Sequence, residues 1–224
     1  MGNAYFITAT GTDSGKTFVA EGLARELRAR GRRLRALKPV MSGYDETRPA
    51  DSDAGRLLAA CGIEATPAAV ADIAPWRFAA PLSPDRAAAL EGRVIDFDGL
   101  MRWCRDETAR NEDLLLIEGI GGVMVPLDGQ RTVLDWMAAL QLPVLLVAGT
   151  YLGAISHALT ALAALRSAGL APVAIVLNES AGGIPLADTL VSLAPHAGGI
   201  PLLPAVRGGD GLAALADFLL KDGR

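Results

Sequence analysis

Cysteine and histidine are scarce in this 224-residue sequence, with two of each. Cys61 and Cys104 lie far apart and in no metal-type spacing. That excludes a disulfide framework and a zinc module, and it points to a reduced, cytoplasmic protein with both thiols packed on helices. His157 sits at a helix start, where packing against neighbours explains it better than base catalysis, and His196 has no accompanying motif. No paired-histidine metal motif, serine elbow or dinucleotide glycine fingerprint is present. Positive charge is not in excess either: the net charge is −4, which gives no reason to expect nucleic-acid or acidic-membrane partners. Arg25, Arg28, Arg30, Arg32, Arg33 and Arg35 form a basic run. They fall at a helix C-terminus and the turn after it, where cations complement the dipole, so they read as solvated surface. Long apolar runs are missing. The longest, around 142–148, is too short to span a membrane, and the first residues lack the basic-then-apolar order of a signal peptide.

What remains is an ordinary globular balance, 51% hydrophobic and 21% charged, at a length that suits one α/β domain over 1–224. The run Tyr5-Phe6-Ile7-Thr8-Ala9 is apolar and β-prone, and a loop of small residues follows it. The loop ends in Gly15-Lys16-Thr17 at the mouth of a helix expected over 18–30. That order suits a triphosphate. Backbone N–H groups of the loop and first helical turn face one hollow, and the helix dipole adds positive potential. Asp13, Ser14, Gly15, Lys16, Thr17 and Phe18 form this nucleotide-binding segment, with Lys16 reaching the β- and γ-phosphates and the Thr17 hydroxyl able to ligate Mg²⁺. The usual pattern would place its first glycine at Thr10, whereas Gly11 lies one position later, so the loop is of a variant kind.

Further strands are expected over 34–40, 114–117, 144–148 and 172–177, with a short one before Pro201. Helices are expected over 54–60, 96–111, 132–140, 154–167, 184–193 and 212–220, and 62–84 reads mostly as surface loop. Strands alternating with helices indicate a doubly wound, mostly parallel α/β sheet of the phosphate-loop type. In such sheets ligands bind beyond the carboxyl ends of the strands. Thr12, Asp13, Lys38, Glu118 and Asn178 fall at those ends. Glu118, closing an apolar strand, suits a metal-holding acid, with a solvent-facing carboxylate as the alternative. Asp53 is a second oxygen ligand or a helix cap, and the residues leave both readings open. Lys38 is either a surface lysine or a cation near a transferred phosphoryl group.

Several stretches together resemble the dethiobiotin synthetase family. They are Tyr5-Phe6-Ile7-Thr8 through Gly15-Lys16-Thr17, Lys38-Pro39-Val40-Met41-Ser42-Gly43, Ser52-Asp53-Ala54, Glu118-Gly119-Ile120-Gly121-Gly122 with Pro126-Leu127, Leu142-Pro143-Val144, and Leu152-Gly153-Ala154-Ile155-Ser156-His157-Ala158. They occur in family order over most of the chain. The resemblance implies a homodimeric ligase that uses ATP as co-substrate and Mg²⁺. It would carboxylate 7,8-diaminopelargonate with CO₂ or bicarbonate and close the cyclic urea through a carbamic–phosphoric anhydride. It further implies Thr17, Asp53 and Glu118 around Mg²⁺, and Thr12, Lys38 and Ser42 facing the carbamate and amines. Gly121 and Gly153, Ala154, Ile155 and Ser156 would seat the diamine, and Asn178 with Pro201, Leu202 and Leu203 would meet the adenine. The sequence departs from the family pattern at Ala9, where a methyl group is expected to tighten the loop, and at Asp13 and Tyr151. A partition-type ATPase would carry a signature lysine at Gly11. A glutamine-dependent amidase of corrinoid side chains would append a glutaminase domain and its nucleophilic cysteine. Neither feature is present.

Overall fold

The computed structural model describes residues 3–110, 113–208 and 211–222. Strand β1 (Asn3–Ala9) leads through the glycine loop into helix α1 (Lys16–Ala29), then β2 (Leu34–Leu37), β3 (Val40–Ser42) and α2 (Asp53–Ala60). Next come α3 (Pro67–Ile73), β4 (Trp76–Phe78), α4 (Pro84–Leu90), α5 (Phe97–Thr108) and β5 (Leu114–Glu118). The chain then alternates through α6 (Val133–Leu140), β6 (Val144–Gly149), α7 (Ala154–Ser167), β7 (Pro172–Asn178), α8 (Leu186–Leu193), β8 (Leu202–Ala205) and α9 (Gly211–Asp222).

Six strands form one parallel sheet in the order β2-β5-β1-β6-β7-β8. β5 and β6 are buried along their whole length, as continuously apolar strands covered on both faces must be. The chain leaves β1 first toward β2 and β5 and later toward β6, so the order reverses at β1. The carboxyl ends around that reversal, at Ala9 and Glu118, frame the crevice where such sheets bind ligands. The core beside the Glu118 turn contains an aromatic pair. Phe6 and Trp136 are both sealed from water and meet edge to face at 4.9 Å.

Three expectations need correction. The segment 34–40 is not one strand. Pro39 has no N–H to continue the ladder, so β2 stops at Leu37 and β3 starts a separate parallel pair with β4. The segment 62–84 is only about half loop, because α3, β4 and the first residue of α4 fall within it. Thr66 accepts the amide of Ala69 and Pro67 opens α3, a cap-and-proline start that the alanine-rich composition hides. The last strand follows Pro201 instead of preceding it, with the Pro201 carbonyl accepting the Ile175 amide at 2.9 Å. Asn111, expected to close α5, lies outside the described residues. The thiols behave as packing groups: burial pushes Cys104, on α5, up to about 12 and also raises Cys61, at the end of α2.

Trp136 is fully buried against Phe6, so its loss should leave a cavity there. We expect Trp136→Ala to lower the unfolding free energy by about 3–5 kcal/mol in urea titration. A loss below about 1 kcal/mol would mean the aromatic pair is not packed as described.

Candidate active site

The glycine loop is held from within and from the neighbouring strands. The Thr10 amide donates to the Val147 carbonyl at 3.0 Å, and the Thr10 and Ser14 hydroxyls meet at 3.1 Å across the loop. That hydroxyl pair closes the loop at the position where the common pattern has glycine. Ala9 ends β1 fully buried and outside the left-handed region, so its methyl group packs in the core and does not tighten the loop. Gly15 precedes α1 at φ +93°, and no side chain caps the helix, which leaves its first amides for an anion. Behind Gly15, the Asn178 side-chain amide donates to the Ser14 carbonyl at 3.2 Å. A Cβ on Gly15 would press on the Asn178 side-chain amide and displace it from the Ser14 carbonyl, and the backbone conformation itself favours glycine.

Two lysines converge on the turn after β5. Lys16 Nζ donates to the carbonyls of Gly121 at 2.6 Å and Gly11 at 3.2 Å. Lys38 Nζ donates to Glu118 Oε1 at 2.6 Å and the Gly119 carbonyl at 3.0 Å, and it lies 3.1 Å from Asp53 Oδ2. Thr17 Oγ1 donates to the same Glu118 Oε1 at 2.7 Å. Burial pushes Lys16 down to about 8, with the nearby Lys38 charge adding to the effect. Burial acts on Lys38 in the same direction, but the Glu118 and Asp53 carboxylates outweigh it and hold Lys38 above the usual lysine range. Asp53 is lowered: burial would raise it, and the Lys38 charge and hydrogen bond prevail. The cap question is settled locally, because Ser52 Oγ accepts the Gly55 amide at 3.0 Å and caps α2. Asp53, the first residue of α2, is left to face Lys38.

These groups line a cleft of about 760 Å³ with Thr12, Asp13, Phe18, Ser42 and Gly121. Its opposite wall comes from Pro81, Leu82, Ser83 and Pro84, and Arg56 of α2 joins the rim. Sequence reasoning missed this wall and Arg56, although Ser83-Pro84 carries the helix-start signal that opens α4. The oxygen set suits a hard divalent cation: the Thr17 hydroxyl, Asp53 and Glu118 adjoin, and Glu118 Oε2 is buried without a hydrogen-bond partner among the described residues. Other expected residues are not brought here. Gly153, at φ +96°, caps α7, and neither it nor Ala154, Ile155 or Ser156 lines the cleft of its own chain. Pro201 to Leu203 are not a loop beside Asn178. The register pairs Asn178 with Ala205, so Pro201 lies four residues earlier, roughly 13 Å toward the other end of the sheet. His157 is exposed and bonded through Nδ1 to the Tyr151 hydroxyl at 2.8 Å, a local pairing at the head of α7.

A family model described as an AAA domain matches residues 3–208. An ATP-dependent dethiobiotin synthetase BioD of Acidiphilium cryptum is 51% identical over 199 residues, 88% of this chain and 89% of that one. The protein of the same name from Caulobacter sp. strain K31 is 50% identical over 97% of this chain and 94% of its own. Among solved structures, the cell division ATPase MinD of Pyrococcus furiosus superposes with a TM-score of 0.56 at 18% identity, covering 99% of both chains. Chloroplast FtsY from Physcomitrella patens gives 0.53 at 17%, over 98% of this chain and 65% of that one. The two structures share the fold.

The tight fit at Gly15 is open to a direct check. Gly15→Ala should weaken binding of a non-hydrolysable ATP analogue by more than about tenfold, given strain of about 1–3 kcal/mol, with the far-UV circular dichroism unchanged. An affinity within about twofold of wild type would show that the loop has more room than the Asn178 contact indicates.

Proposed function

The chain belongs to the AAA-domain family and to the dethiobiotin synthetases, and from that premise we propose how its cleft performs the reaction. It is an ATP-dependent ligase that makes dethiobiotin in biotin synthesis. The substrate of the proposed sequence is 7,8-diaminopelargonate. One amine adds to CO₂, losing a proton, to give a carbamate. The carbamate oxygen attacks the γ-phosphorus of ATP, the bond to the bridging oxygen breaks, and ADP leaves. The second amine then attacks the carbonyl of the mixed anhydride, expels phosphate, loses its proton and closes the cyclic urea.

The observation that carries this reading is the convergence of Lys16 and Lys38 on the turn after β5, in the one cleft that the phosphate loop also lines. Carbamate and triphosphate repel each other, and bringing their oxygen and phosphorus together requires fixed cations in a site sheltered from water. Lys16 and the first amides of α1 bind the phosphates, while Lys38 faces the carbamate with Thr12 and Ser42. Thr17, Asp53 and Glu118 would hold Mg²⁺, which when bound offsets charge on the phosphates. The buried unpartnered Glu118 Oε2 supports that assignment. Pro81, Leu82, Ile120 and Val125 offer an apolar wall for the aliphatic chain of the diamine. Asn178 stands at the base end of the nucleotide. A homodimer in which one copy brings residues 153–156 to the other's cleft would reconcile their expected role with their distance from their own cleft. The cytoplasm is the proposed compartment, supported by two cysteines that are both free. Among the described residues no helix is long and apolar enough to cross a membrane.

The test is phosphate release from MgATP and bicarbonate, with and without the diamine, followed by mass analysis of the product. Release that requires the diamine and yields its cyclic urea is the expected result, whereas release indifferent to the diamine would contradict it. Lys38→Met should cut kcat by about a thousandfold or more while the ATP analogue still binds within about tenfold of wild type. Turnover within about tenfold would remove Lys38 from the reaction.

A further inference from the structure

Six charged side chains line the cleft: Lys16, Lys38 and Arg56 against Asp13, Asp53 and Glu118. The family resemblance accounts for both lysines and all three acids, and leaves Arg56 without a role. Yet Arg56 is the cleft cation with the most to offer a ligand. Lys38 is hydrogen-bonded to Glu118 and Gly119 and paired with Asp53, and Lys16 is bonded to two carbonyls. Arg56 uses only Nε, which donates to Glu21 Oε2 at 2.7 Å. Both Nη groups are without a protein partner among the described residues, and the side chain is 43% exposed.

Its place in the fold says which part of an anion it would meet. Glu21, nine-tenths buried on α1, lies one turn beyond Thr17, and Arg56 lies one turn beyond Asp53 on α2. Bonded there, Arg56 still lines the cleft that Thr17 and Asp53 line. Helix α2 packs on α1 and β2, whereas Asn178 closes β7 on the other side of β1. Arg56 stands at the end of the cleft opposite the base. Without it, acids would outnumber cations in a cleft that must receive a polyanion.

We propose that Arg56 is a further nucleotide-binding residue, held by Glu21, whose terminal nitrogens take oxygens of the last phosphate of the triphosphate and so distinguish ATP from ADP. This rests on the nucleotide-binding reading of the same cleft. A planar guanidinium with both Nη groups open suits a phosphate, which it can grip by two parallel bonds.

Calorimetric titration in the absence of diamine tests it, using a non-hydrolysable ATP analogue and, separately, ADP, each with Mg²⁺. Arg56→Gln should weaken the ATP analogue by about fivefold to twentyfold and ADP by less than about twofold, as expected for loss of a charge-assisted hydrogen bond at a partly exposed site. Arg56→Lys should recover part of the loss. Glu21→Gln weakens the tie between α1 and α2 but keeps the cation and an oxygen that can accept from its Nε, so it should cost the analogue less than about threefold and clearly less than Arg56→Gln. Unchanged binding in Arg56→Gln would overturn the proposal. So would equal losses for ATP analogue and ADP, or equal losses in Arg56→Gln and Glu21→Gln, which would reduce Arg56 to a helix tie. A wild-type protein that fails to bind the analogue would instead refute the nucleotide reading, and this inference with it.

Discussion

The buried ammonium of Lys38 ties the site together. It is 2% exposed, and a charge so far from water persists only where its protons are all taken by oppositely charged or carbonyl oxygens. Glu118, Asp53 and Gly119 take them. Those three groups come from the end of β5, the head of α2 and the turn after β5, and Lys38 itself follows β2. One cation thus fixes the relative positions of three segments far apart in sequence. Thr17 adds the phosphate loop by donating to the same Glu118 oxygen. Removing the lysine would strand buried carboxylate charge, at about 3–5 kcal/mol by analogy with broken buried pairs.

The second constraint is closeness of backbone. The Glu118 turn can lie against the phosphate loop only because its glycines lack side chains. A Cβ on Gly119 would come within 2.9 Å of the Phe6 ring, and one on Gly122 within 3.1 Å of the Thr10 carbonyl. That approach lets the Gly121 carbonyl reach Lys16 and brings the two lysines into one site. Burial, with the neighbouring Lys38 charge, lowers proton affinity at Lys16, whereas at Lys38 burial is outweighed by the Glu118 and Asp53 carboxylates, which raise it.

Much of this was legible from residue order. The strand, small-residue loop and Gly15-Lys16-Thr17 sequence carry their conformational needs locally, and an apolar run closed by an acid marks β5 and Glu118. Lys38 and Asp53 were ambiguous because their meaning lies in each other: a lysine and an acid fifteen positions apart become a pair only when β2 and α2 are placed. The wall at 81–84 was missed because α3 and β4 are short and rest on tertiary packing, where a single Thr66-Pro67 start outweighs an irregular alanine-rich pattern. Pro201 misled in the opposite way. It was read as ending a strand, whereas only its missing N–H is fixed by sequence, and the carbonyl that joins β7 lies on its far side. Arg56 escaped notice because its partner Glu21 sits on another helix.

The account rests on the claim that Lys38 and its carboxylates form one preassembled site for a metal and two anions. A crystal structure with Mg²⁺ and a non-hydrolysable ATP analogue tests this most directly. The account predicts the metal on Thr17, Asp53 and Glu118, with the Lys38 ammonium still in the same cleft beside those two carboxylates. A metal bound away from Asp53 and Glu118, or a Lys38 ammonium that has left the cleft, would contradict it.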